Sequence, residues 1–76
     1  MDKKLEEILN SVNPEILETP GINLVEEGII DSLAIMQIVS ALEVEYGIVF
    51  DPVDIMPDTF ASAAAIEQAL QWYLKS

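Results

Sequence analysis

Apolar residues recur at helical spacing in three stretches of the chain. Leu5, Ile8, Leu9 and Val12 fall at i, i+3, i+4 and i+7, which is one face of an amphipathic helix. Asp2 is placed to cap its start, and Asn13-Pro14 to stop it. Glu6 and Glu7 lie near that start, where the helix dipole favours negative charge. Ile35, Ile38, Val39, Leu42 and Tyr46 form a second, stronger stripe and predict a helix over Ser32–Tyr46. Gly47 is its natural left-handed terminator. Leu33, Met36, Ser40 and Val44 lie off the stripe and are still largely apolar. A helix that packs one face has no need of this second set, so Leu33 and Met36 are expected to stay at least partly exposed. Ile66, Ala69, Leu70, Tyr73 and Leu74 predict a last core-facing helix, capped by Ser62.

The connections are less regular. Asn13 to Asp31 reads as a long loop with a turn at Pro20-Gly21. A loop of this length in a small protein is either functional or pinned down. It carries Ile16, Leu17, Ile22, Leu24, Val25, Ile29 and Ile30, so several of these should dock on the helices, and Pro14 to Leu17 can form a short helical turn. Ile48-Val49-Phe50 has strand-like composition but no partner strand, and reads as a buried connection. Asp51-Pro52 should open a short helical turn through Met56, with Asp51 as N-cap, Pro52 at the first helical position and Pro57 as its end. The pattern predicts an all-α fold of three main helices and one short helix, closed by a long first loop, with residues 1–76 as one domain.

Composition narrows the chemistry. With 76 residues and 51% hydrophobic residues, the chain is a small folded domain rather than an acidic tail. It has no cysteine and no histidine, which excludes disulfides, thiolate or imidazole metal sites, and Ser-His or Cys-His catalysis. A carboxylate pair as acid and base remains conceivable, but a chain this small has little room for a closed pocket. The net charge is -11, and Lys3, Lys4 and Lys75 are its only basic side chains. Such a surface repels nucleic acid and attracts proteins with basic patches. No apolar run approaches the ~18 residues of a membrane span. Lys3-Lys4 is followed by Leu5 and two glutamates, which does not start a signal peptide, so the cytoplasm is the expected location.

The candidate chemistry sits at Gly28-Ile29-Ile30-Asp31-Ser32-Leu33, where the loop runs into the strongest helix. Asp31 is the expected N-cap, and Ser32 the first helical residue. Its hydroxyl would lie beside unpaired N–H groups at the positive end of the helix dipole, where a phosphate is stabilised. Helix capping alone also accounts for an Asp-Ser pair. The stretch resembles the attachment motif of acyl carrier proteins. Three other features fit: a short acidic chain, a mid-chain serine opening the second major helix, and Gly28 just upstream. Ala41-Leu42-Glu43-Val44-Glu45-Tyr46-Gly47-Ile48 resembles the run that follows the motif in that family, and Thr59-Phe60-Ala61-Ser62 with Ile66 resembles the opening of its last helix.

The resemblance implies an acyl-carrier-like four-helix bundle. It also implies a 4′-phosphopantetheine arm on Ser32, transferred from coenzyme A by a separate phosphopantetheinyl transferase with its own Mg²⁺. Asp31 would help orient that complex and Leu33 would contact partner enzymes. The arm would supply the thiol that the chain lacks, for acyl cargo held as a thioester in fatty acid, lipid or polyketide-type biosynthesis. The chain itself would catalyse nothing and act as a monomer. Acyl-loading ligases or synthases with basic docking patches would be its partners, and Leu33, Met36, Gln37, Glu43, Val44 and Met56 are the candidate partner contacts. The pattern departs from fatty-acid carriers at Ala34, Gln37 and Val44, where acidic residues are usual, although Glu43 and Glu45 remain. Gly-Ile-Ile-Asp-Ser looks closer to stand-alone carriers served by an adenylating ligase, such as D-alanyl carriers or those of peptide synthesis. A non-carrier acidic adaptor, with Ser32 only a cap, is the alternative from another class.

Other groupings read more plainly. Asp51, Asp54 and Asp58 lack the spacing and glycine of a calcium loop and read as a solvated acidic face. Glu26, Glu27 and Asp31 would hold a divalent cation only loosely. Met36 and Met56 can line an acyl pocket, with ordinary packing the better reading for Met56. Trp72 reads as a packed aromatic of the last helix.

Overall fold

The computed structural model describes residues 1–75. Four α-helices run in the order α1 (Lys3–Val12), α2 (Glu15–Glu18), α3 (Ser32–Tyr46) and α4 (Ala63–Lys75). Two 3₁₀ turns, Pro52–Asp54 and Pro57–Phe60, bridge α3 and α4. Among the described residues there is no β-strand, so the all-α, acyl-carrier-like expectation holds.

The helix ends follow local chemistry. The Asp2 carboxylate accepts the Lys4 N–H at 3.2 Å and starts α1. Asn13 ends it and at once begins α2, its side-chain oxygen accepting the Glu15 N–H at 2.9 Å. At the other end of α3, Gly47 takes the left-handed conformation with φ 65°, and its N–H donates to the Glu43 carbonyl. Ser62 Oγ accepts the Ala65 N–H at 3.0 Å and caps α4.

One apolar core joins the elements. Leu5 and Leu9 come from α1, Ile16 from α2, Ile38, Val39 and Leu42 from α3, and Ile66 and Leu70 from α4. Leu24, Ile30, Phe50 and Phe60 enter it from the connections. Each such side chain, fully buried, contributes roughly 1.5–3 kcal/mol relative to exposure. The long first loop is ordered as expected: Leu24 N–H donates to the Ala61 carbonyl at 2.8 Å, and Ile29 and Ile30 both donate to the Leu24 carbonyl.

Five local expectations need correction. Pro57 starts a second 3₁₀ turn instead of ending the first, because a proline has no N–H to lose at a first helical position. The short helix expected after α3 is therefore two 3₁₀ turns, and the short α-helix is α2. In the Ile48–Phe50 connection only Phe50 is buried, while Val49 points outward. On α4 the core ends at Leu70 and the half-buried Tyr73, leaving Leu74 exposed and Trp72 69% exposed. Tyr46 is also half-buried rather than buried, since its hydroxyl reaches out to the Asp2 carboxylate.

Candidate functional site

Loop and helix meet at Ser32 through a short hydrogen-bonded turn. Asn23 side-chain oxygen accepts the N–H groups of Val25 and Glu26 at 3.1 and 3.0 Å. Gly28 follows with φ 76°, a left-handed conformation that glycine adopts without penalty. Asn13 then reaches across 16 positions to donate to the Ile29 carbonyl at 3.2 Å. The chain arrives at Asp31 in an extended conformation, and the Asp31 carboxylate accepts the Ala34 N–H at 2.8 Å. The Asp31 carbonyl accepts the Ile35 N–H at 2.9 Å. That leaves the N–H groups of Ser32 and Leu33 without an intrahelical acceptor.

Ser32 is exposed at this helix start. Its hydroxyl makes no side-chain hydrogen bond, unlike Ser11, which donates to the Ile8 carbonyl, and Ser62, which caps α4. Ser40 lies mid-helix, away from the free N–H groups. Among the described serines, Ser32 alone combines a helix N-terminus with an uncommitted hydroxyl.

Apolar surface flanks the serine on two sides. Between α1 and α3 runs an open groove of about 630 Å³, lined by Ile8, Leu33, Met36, Gln37, Ala41 and Val44 among others. Leu33 is 68% and Val44 83% exposed, and Met36 is also exposed. The second set of apolar positions on α3 therefore does face solvent. On the other side a smaller pocket of about 220 Å³ is lined by Ser32, Ile35, Met36, Ile55, Met56 and Pro57. Met56 is exposed there rather than packed.

The structure places Leu33, Met36, Gln37 and Val44 along the groove and Ser32 with Met36 and Met56 around the smaller pocket, with Asp31 as the N-cap that opens α3. Glu43 is not part of that surface: it is half-buried, and its carboxylate accepts the Phe50 N–H at 2.9 Å. Two of the acidic residues weighed for calcium also have structural tasks. Asp51 accepts the Val53 N–H, and Asp54 accepts the Tyr73 hydroxyl. Among the described residues no group of three or more His, Cys, Asp or Glu could hold a metal ion. Asn13, Ile8 and Ile55 join the site as well, and Ile8 bears only the mark of a core-facing position in the sequence. Asn13 carried the signal of a helix stop and nothing of its reach to Ile29, while Ile55 carried none.

The family model of the phosphopantetheine attachment site matches residues 3–70. The chain belongs to that carrier family. No curated protein and no solved structure gives a match. The protein is a phosphopantetheine-bearing carrier, with 4′-phosphopantetheine as its covalent cofactor. Carrier domains of this kind are not catalytic themselves, and they meet phosphopantetheinyl transferases and synthases. The site around Ser32 suits such a group: a free hydroxyl, two N–H donors for a phosphate, and apolar walls for a flexible arm. Among the described residues no helix is long and apolar enough to cross a membrane.

Proposed function

We propose that Ser32 is the attachment point of the phosphopantetheine arm and that the chain carries acyl groups on it. The observation that carries this reading is the uncommitted, exposed hydroxyl of Ser32 at the capped start of α3. Bound there, the group supplies a terminal thiol that holds acyl cargo as a thioester. The chain's own residues hold and present the site. Asp31 fixes the helix start, the N–H groups of Ser32 and Leu33 would be donors for the phosphate, and Ile35 and Ile55 would offer apolar walls. The chain has no histidine, and the Asp31 carboxylate beside Ser32 is engaged by the Ala34 N–H, so the transferase supplies the base. The chain is the substrate of that reaction and no enzyme itself.

Leu33, Met36, Gln37 and Val44 form the partner-docking face, with Met56 at its edge. That face is apolar and almost uncharged, which favours a specialised carrier, loaded by an adenylating ligase with an acyl or aminoacyl group, over one that docks mainly through charge. Residues 1–76 act as one monomeric domain in the cytoplasm, in keeping with a core that joins Leu5 to Leu70 and a charge of -11.

Intact mass after incubation with coenzyme A, Mg²⁺ and a broad-specificity transferase tests the assignment. The wild type should gain one phosphopantetheine. Ser32→Ala should gain none and keep its melting temperature, since alanine is well tolerated in a first helical turn. A modified alanine variant would reassign the site.

A further inference from the structure

The smaller pocket beside Ser32 has one wall made by Ile55 and Met56, which follow directly on the first 3₁₀ turn. A single hydroxyl straps that turn to α4. Tyr73 Oη accepts the Asp51 N–H at 2.9 Å and donates to the Asp54 carboxylate. Its ring packs on Phe50 with centroids 4.7 Å apart, so the hydroxyl is aimed by the core. Inside the turn, Val53 N–H donates to the Asp51 carboxylate, Asp54 N–H to the Asp51 carbonyl and Ile55 N–H to the Pro52 carbonyl. Both ends of the turn thus hang on one phenol. The hydrogen bond to Asp54, followed by desolvation, raises the Tyr73 pKa.

We propose that Tyr73 is a positioning residue for the Ser32 site: its hydroxyl holds the Asp51–Asp54 turn so that Ile55 and Met56 stand as the wall that shelters the arm. The bonds inside the turn shape it but do not tie it to the rest of the fold, and 3₁₀ hydrogen bonds have poorer geometry than α-helical ones, so its stance against α4 depends on the strap. Without the strap the wall would fluctuate while the core packing of Tyr73 on Phe50 persisted. The proposal rests on the reading of Ser32 as the attachment point, and its test separates the two.

The chain has no cysteine, so in the loaded protein every thiol reaction reports the arm. Tyr73→Phe keeps the ring and removes both hydrogen bonds. Tyr46→Phe is the matched control, because it removes a phenol–carboxylate bond to Asp2 at the far end of α3, about 20 Å from Ser32 at 1.5 Å per residue. In the unloaded protein, Tyr73→Phe should shift the backbone amide resonances of Ile55 and Met56 and speed hydrogen exchange at Asp51, with Leu42 unmoved. In the loaded protein, iodoacetamide should alkylate the thiol severalfold faster in Tyr73→Phe than in wild type or Tyr46→Phe. Asp54→Ala should reproduce the effect without touching the ring, and Asp54→Asn, which keeps an acceptor, should largely restore the wild-type rate. Unchanged amides and an unchanged rate in both Tyr73→Phe and Asp54→Ala overturn the proposal, as does an equal rise in Tyr46→Phe. A wild type that takes up no phosphopantetheine removes the Ser32 reading and with it the sheltering role, whatever the amide data show.

Discussion

At Gly28 a backbone conformation, not a shortage of space, makes the residue matter. Its φ is 76°, and a Cβ added there would meet nothing within 4 Å. Gly28→Ala should therefore cost about 1–2 kcal/mol, the local strain of a left-handed conformation in an L-residue, with no clash against the rest of the fold. Chemical denaturation should show that loss, and transferase modification of Ser32 should slow because the loop no longer delivers the helix start in one geometry. A neutral Gly28→Ala would mean that the turn relaxes freely. Local features of this kind were legible in the sequence. Asp31 caps α3 and Gly47 ends it because both act on backbone groups within four residues. Asn13 shows in the sequence only as a stop, since its bond to Ile29 spans 16 positions and leaves no trace in the pattern. Trp72 stands outward although composition favours burying it, and Met56 stands exposed in the smaller pocket, which fits its place among the candidate contacts and not the packed reading.

Between elements, the Tyr46 hydroxyl donates to the Asp2 carboxylate and joins the end of α3 to the start of α1. This bond, then the Lys4 N–H, lowers the Asp2 pKa below 3.8. Its contribution is present above 3.8 and is lost as pH falls through the lower folded value. Burial, then the bond to Asp2, pushes the Tyr46 pKa up to about 12 from 10.0. That contribution is complete below 10.0 and is lost as pH rises toward about 12. Tyr46→Phe should thus melt lower than wild type between these limits, and the two curves should converge at either extreme. Carboxyl-carbon titration by NMR should show the Asp2 pKa rising toward its ordinary value in the variant. A gap in melting temperature that persists at low pH would trace the effect to packing instead. Helix positions were readable because periodicity and caps agree over each of α1, α3 and α4. The turn opening at Asp51-Pro52 is readable in the same way, but the second turn at Pro57 is not, because a proline signals the end of one element and the start of the next equally well.

Across the molecule, charge and apolar surface are divided between two tasks. The net charge of -11 acts at long range, and its few opposing cations are held at the chain ends, with Lys4 paired to Glu45 at 3.7 Å. Close to Ser32 the docking face is apolar, formed by Leu33, Met36 and Val44. Long-range attraction governs how fast a basic partner arrives, while contact area and desolvation govern how long it stays. Added salt should therefore slow association with the transferase, on the order of tenfold between low and high ionic strength, and change dissociation little. Met36→Gln should do the reverse. Met36 lines both the groove and the smaller pocket, so a polar side chain there removes apolar contact on either side of the serine. Its exposure keeps the cost to folding stability within about 0.5 kcal/mol. Stopped-flow binding at two ionic strengths, run on both proteins, separates the two effects. Met36→Gln binding with both rates unchanged would show that docking is electrostatic throughout, and that the apolar groove serves some other contact.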